Sequence, residues 1–151
     1  MKIIKGDIIK LALDGQFDVI VHGCNCFHTM GAGVAKQIKT MFPAAYKADL
    51  MTKYGDKSKL GTYSIASVDN LNLKILNAYT QYDFSGSKIK IHYSAIKSVF
   101  SDIKSQYSGK RIGYPKIGAG LAGGNWGIIS EIIDKELEGE DHALVVYLGG
   151  V

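Results

Sequence analysis

The sequence predicts an α/β fold in which a mixed, mostly parallel sheet lies between two helical layers. Three observations carry this. Val19-Ile20-Val21 and Ala143-Leu144-Val145-Val146 lack polar alternation, as strands buried on both faces do. Short apolar runs alternate along the chain with segments of helical period, the pattern that gives parallel strands joined through helices. The runs Gly61–Val68 and Leu73–Tyr79 are separated only by Asp69-Asn70-Leu71-Asn72, which reads as a hairpin and adds an antiparallel pair.

The elements follow in order. Lys2–Lys5 is a short strand, followed by the brief segment Ile8–Leu13 and the strand Val19–Cys24. Val34, Ile38, Met41 and Phe42 fall on one helical face, and Pro43 suits the first position of the next helix. Tyr46, Leu50 and Tyr54 continue at i, i+4 and i+8, with Gly55 placed to close the helix. After the hairpin, Tyr93, Ile96, Phe100, Ile103 and Tyr107 form a third helical face closed by Gly109. The strand Arg111–Pro115 precedes a fourth face of Trp126, Ile129, Ile132, Ile133 and Leu137, closed by Gly139. Ala143–Leu148 is the last strand. With no repeat or linker, residues 1–151 read as a single domain.

Hydrophobic residues make up 46% of the 151 and charged ones 21%, which sets the chain apart from disordered proteins. The formal charge of +4 is a mild excess that helps an anionic ligand approach. Charge follows Met1 at once, and no apolar run approaches the ~18 residues of a membrane span, so no signal peptide and no membrane partner are expected. Cys24 and Cys26 are separated by one residue on an extended run, a spacing that rarely closes a disulfide, so none is expected between them. These features together predict a reducing, cytoplasmic setting.

Two glycine-rich loops carry the chemistry. Strand Val19–Cys24 runs into Asn25-Cys26-Phe27-His28-Thr29-Met30-Gly31-Ala32-Gly33, and strand Arg111–Pro115 into Lys116-Ile117-Gly118-Ala119-Gly120-Leu121-Ala122-Gly123-Gly124. Each is strand, glycine loop, helix. Glycines let the backbone approach a phosphate, and a helix N-terminus offers free N–H groups and a positive dipole end. Two such loops in a short domain point to a ligand with more than one anionic segment, such as a pyrophosphate; ordinary tight turns are the alternative. Gly118, Gly120 and Gly123 match G-x-G-x-x-G, but the next strand ends in Leu148-Gly149-Gly150 with no acid for a ribose. That argues against a dinucleotide-dependent dehydrogenase, and the absence of G-x-x-x-x-G-K-[ST] argues against a P-loop nucleotidase.

Three segments make the chain resemble the macrodomain family: Lys5-Gly6-Asp7-Ile8; Val21-His22-Gly23-Cys24-Asn25-Cys26 with Met30-Gly31-Ala32-Gly33-Val34-Ala35; and Pro115-Lys116-Ile117-Gly118-Ala119-Gly120-Leu121 with Trp126. The resemblance implies a three-layer α/β/α fold and binding of ADP-ribose. Within the family the chain is similar to the short ADP-ribose 1″-phosphate phosphatases and to terminal ADP-ribose glycohydrolases. The latter use a lysine after the fourth strand and an aspartate in the second loop, where this chain has Gln81 and Ala122.

The resemblance implies that Asp7, with Gly6 and Ile8, reads adenine; the alternative is that Asp7 caps Ile8–Leu13. Asn25 would hold ribose hydroxyls, or else is a turn asparagine. Met30, Gly31, Ala32, Gly33 and Val34 would wrap the distal ribose and phosphate. Ile117, Gly118, Ala119, Gly120, Leu121, Ala122 and Gly123 would cradle the pyrophosphate, and Tyr147 would pack on adenine or in the core. His22 is the candidate base for a phosphatase, helped by Asn25 and Asp83; a buried, hydrogen-bonded histidine is the alternative. His22, Cys24, Cys26 and His28 alternate on one extended run, which cannot easily surround one ion, so neither metal nor cofactor is expected. The predicted activity is hydrolysis of ADP-ribose 1″-phosphate. The competing functions are a non-catalytic ADP-ribose reader and a hydrolase acting on ADP-ribosylated macromolecules.

Overall fold

A computed structural model describes residues 1–84, 89–120 and 122–147. The strands are β1 (Lys2–Lys5), β2 (Val19–Cys24), β3 (Tyr63–Val68), β4 (Leu73–Tyr79), β5 (Ile112–Tyr114) and β6 (His142–Val146). The helices are α1 (Ile8–Leu13), α2 (Gly33–Met41), α3 (Pro43–Leu50), α4 (Tyr93–Tyr107) and α5 (Trp126–Glu136). The sheet order is β1-β6-β5-β2-β4-β3, with β3 antiparallel to β4 and every other pairing parallel. Five strands therefore end on one edge of the sheet, the edge where α/β proteins place ligands.

The period of two along β2 divides the core. Ile20 packs with Ile9 of α1, Ile38 of α2, Ala45 of α3 and Ile75 of β4. Val19 and Val21 face the other way, into a cluster with Ile96 and Phe100 of α4 and Ile129 and Ile133 of α5. The sheet is thus covered on both faces, which is why its central strands read as unbroken apolar runs. Each of the valine, isoleucine and phenylalanine side chains contributes about 1.5–3 kcal/mol on burial.

The structure trims several predicted boundaries. Helix α3 stops at Leu50, so Tyr54 does not extend its face: Leu50 is 46% and Tyr54 66% exposed. The Thr52 hydroxyl donates to the Asp49 carbonyl at the helix end, and the chain then turns at Gly55, whose N–H donates to the Cys26 carbonyl. Met41 is half exposed and belongs to the solvent face of α2. Strand β3 begins at Tyr63, with Gly61 in the preceding turn at φ +86°. Arg111 lies just before β5, where its N–H and guanidinium both bind the Asp18 carboxylate. Pro115, without an N–H, lies just after it. The predicted end of the last strand, Leu148, lies outside the described residues, as does the second-loop residue Leu121.

Candidate ligand-binding cleft

A cleft of about 660 Å³ opens at the carboxyl ends of β2, β4 and β5. One wall is the first glycine loop with the start of α2, from Thr29 to Ala35. The other is the second loop, through Pro115, Lys116, Ile117, Gly118, Gly120 and Ala122. Gln81, Phe84 and Lys90, from the β4–α4 connection, close the third side.

The first wall is built to receive an anion. Helix α2 starts after Ala32, which has no side chain to cap it, and the first-turn residues Gly33, Val34 and Ala35 line the cleft. By contrast α1 is capped by Asp7 and α5 by Asn125. An uncapped helix start leaves N–H groups and the positive dipole end for a ligand. The loop leading there carries strain: His28 and Met30 adopt φ of +57° and +40°, and Met30 is buried. Non-glycine residues rarely occupy that region unless the surroundings hold them there. The Tyr46 hydroxyl donates to the His28 carbonyl, and the His28 ring bonds to Thr52.

The second wall works differently from the expectation of a strand–loop–helix start. Helix α5 begins only at Trp126 with its own cap, so this loop presents isolated amides rather than a helix terminus. The N–H groups of Ala119, Gly123 and Gly124 donate within the loop, to Lys116, Gly120 and Gly118 carbonyls. Ala119 and Gly123 thus spend their N–H groups within the turn and stand outside the cleft lining. Gly118, Gly120 and Ala122 do line it, and among the described residues the N–H groups of Gly118 and Gly120 make no such backbone bond. Another residue at Gly118 would be strained: φ is +76°, and its Cβ would lie 2.5 Å from the Ile91 side chain, which would have to shift. At Gly120 a Cβ would meet open space.

His22 lies at the cleft floor but is 1% exposed. Its Nε2 is 2.6 Å from Asn77 Oδ1. The Asn77 amide nitrogen donates to the Ala45 carbonyl and to Ser64, so its oxygen accepts and His22 Nε2 carries the proton. The Nδ1 lone pair is left beside Cys24 Sγ, at 3.8 Å. Burial pushes the imidazole pKa down to about 4, against a smaller upward pull from Asn77. Burial also raises the Cys24 thiol. Both cysteines are buried thiols, unbonded to each other.

Asn25 lines the cleft and also shapes its own turn, accepting from the Phe27 N–H at 2.8 Å and donating to Thr29 Oγ1 at 2.6 Å. One amide hydrogen and one oxygen lone pair remain for a ligand. Asp7 caps α1 by accepting from the Ile9 N–H at 2.8 Å and the Lys10 N–H at 3.4 Å. Gly6, Asp7, Ile8 and Tyr147 stand at the same sheet edge but outside the cleft lining, and Ile8 is buried. Tyr147 is 63% exposed, which rules out the core position. Asp83 is also outside the lining; its carboxylate lies 2.9 Å from Lys90 Nζ, and its carbonyl accepts from Gln81.

Sequence reading missed Thr29, Phe84, Lys90 and Lys116. The signal for Phe84 and Lys90 was their place in the chain after β4, at the carboxyl edge of the sheet where ligands bind. Among the described residues no helix is long and apolar enough to cross a membrane.

Comparison with known proteins agrees with this geometry. An uncharacterised 17.5 kDa protein of Enterobacteria phage T4 is 41% identical over 141 residues, covering 89% of this chain and 88% of that one. An ADP-ribose 1″-phosphate phosphatase of Candida albicans is 29% identical over 133 residues, covering 82% and 85%. A Trypanosoma brucei macrodomain solved in complex with ADP-ribose superposes with a TM-score of 0.67 at 18% identity, over 95% of this chain and 62% of that one. The macro domain family model matches residues 21–133, which span both glycine loops and four of the six strands, and the chain belongs to the macrodomain family.

Proposed function

We propose that this macrodomain binds ADP-ribose in the cleft and hydrolyses ADP-ribose 1″-phosphate to ADP-ribose and phosphate. The observation that carries the binding is the uncapped start of α2 facing, across one cleft, the Gly118 and Gly120 amides, which make no backbone bond among the described residues. Such preorganised N–H groups stabilise phosphate charge without reorganising during reaction. The similarity to the Candida albicans phosphatase supports the choice of substrate.

In this reading the terminal phosphate sits over the first loop and Asn25 orients the distal ribose. Water attacks phosphorus as it gives up a proton, the bond to the ribose oxygen breaks, and that oxygen takes a proton from solvent while the base returns its own to solvent, leaving ADP-ribose and hydrogen phosphate. His22, neutral because its pKa is low, takes the attacking water's proton at Nδ1, since Nε2 is engaged by Asn77. A second reading, a reader without turnover, is favoured by the near-complete burial of that same histidine. Phosphate release from ADP-ribose 1″-phosphate, run beside calorimetry with ADP-ribose in EDTA, separates them. Turnover lost in His22→Ala with ADP-ribose affinity kept supports the phosphatase. Binding without any phosphate release by the wild type leaves the reader. No binding at about millimolar ADP-ribose, some 4 kcal/mol of affinity, removes both.

A further inference from the structure

Lys90 is, among the described residues, the charged cleft residue that neither glycine loop supplies. Its side chain is only 17% exposed, and its ammonium lies 2.9 Å from Asp83 Oδ1. Its backbone is fixed from two sides. The Lys90 N–H donates to the Ala122 carbonyl of the second loop at 2.7 Å. The next residue, Ile91, bridges Gln81 in antiparallel fashion, and the His92 N–H donates to the Thr80 carbonyl. A lysine ammonium has three donors, more than an ion pair with one carboxylate oxygen can engage.

Sheet order says which part of the ligand Lys90 meets. Asp7 follows β1 at one edge; the second glycine loop follows β5, the first follows β2, and Lys90 belongs to the connection after β4. A ligand with its adenine near Asp7 and its pyrophosphate between the loops presents the far side of its distal ribose to β4. We propose that Lys90 is the specificity-determining cation for a phosphate monoester on the distal ribose. Asp83 is then a positioning residue that holds the ammonium at the cleft, not a base. This rests on the ADP-ribose reading above.

The test is calorimetry with ADP-ribose and ADP-ribose 1″-phosphate on the wild type, Lys90→Met, Lys90→Arg, Asp83→Ala and Asp83→Asn. Thermal melts check that each variant folds. Lys90→Met should weaken the phosphorylated ligand about tenfold or more, the span of a lost charged hydrogen bond, and ADP-ribose about threefold or less. Lys90→Arg should restore most of the preference. Raising salt from about 50 to about 300 mM should erode the preference in the wild type and not in Lys90→Met. Asp83→Ala should behave as a weaker Lys90→Met. Asp83→Asn, which still offers an oxygen to the ammonium, should keep the preference. Equal losses of both ligands in Lys90→Met, or an undiminished preference, overturn the proposal for Lys90. Full preference in Asp83→Ala overturns the positioning role. A wild type that binds neither ligand overturns the ADP-ribose reading instead, so the two failures are distinguishable.

Discussion

Burying His22 as a neutral imidazole ties the stability of the fold to pH. Its folded pKa of about 4 lies below the ordinary 6.5, so below pH 6.5 the unfolded chain binds a proton that the folded one refuses. The stabilisation is complete above about pH 6.5 and is lost as pH falls towards 4, reaching about 2–3 kcal/mol near pH 4.5. His142, also depressed by burial, adds with the same sign. Urea denaturation of wild type and His22→Gln at pH 7 and pH 4.5 checks this: the variant should lose about 2–3 kcal/mol less between the two conditions. Equal losses would mean that the histidine is solvated or already protonated. Residue identity in the sequence showed that His22, Asn25 and Asp7 were chemically apt. It could not show which role each side chain takes, because that depends on partners far along the chain. His22 meets Asn77 of β4, and Asp83 meets Lys90 across a loop. Asn25 and Asp7 each serve a local turn or cap while keeping donors or acceptors for a ligand, so the two readings weighed for them are compatible.

At the scale of the element, the two glycine loops look alike in sequence and differ in construction. The first ends in an uncapped helix start, whereas the second is a self-bonded turn from which alternate residues face the cleft. Glycine spacing revealed that both loops exist. It did not reveal that Asn125, the residue after the second loop's Gly124, caps α5, because G-x-G-x-x-G says nothing of which amides are consumed internally. The contrast between Gly118 and Gly120 makes the second loop testable. Among the described residues a Cβ at Gly120 meets nothing within 4 Å, so Gly120→Glu should melt within a few degrees of wild type while its carboxylate repels a phosphate and abolishes ADP-ribose binding. Gly118→Ala meets Ile91 at a left-handed φ and should instead destabilise the fold by about 1–3 kcal/mol through overpacking and backbone strain, lowering the melting temperature. Unchanged affinity in Gly120→Glu would reduce the second loop to a structural turn.

For the whole molecule, the order of strands sets the polarity of the bound ligand. From β1 to β4 there are four strand intervals, about 19 Å at the usual spacing, and Asp7, the two loops and Lys90 follow one another along that edge. The alternation of buried runs and helices made the layers legible in the sequence, but strand order came from pairing between distant segments such as β1 with β6. The polarity predicts that damage at the two ends separates by ligand. Asp7→Asn keeps an oxygen to cap α1, so the fold should hold, but it replaces a carboxylate oxygen with a donor that cannot accept from the adenine amine. It should weaken ADP-ribose and AMP by a similar factor, about 1–3 kcal/mol for a lost charged partner. Asn25→Ala acts at β2, beyond the pyrophosphate, and should weaken ADP-ribose by about 1 kcal/mol while leaving AMP unchanged. Calorimetry with both ligands on both variants decides it. If Asp7→Asn leaves AMP untouched, adenine does not lie at the β1 edge, and with it goes the reason for placing the distal ribose beside Lys90.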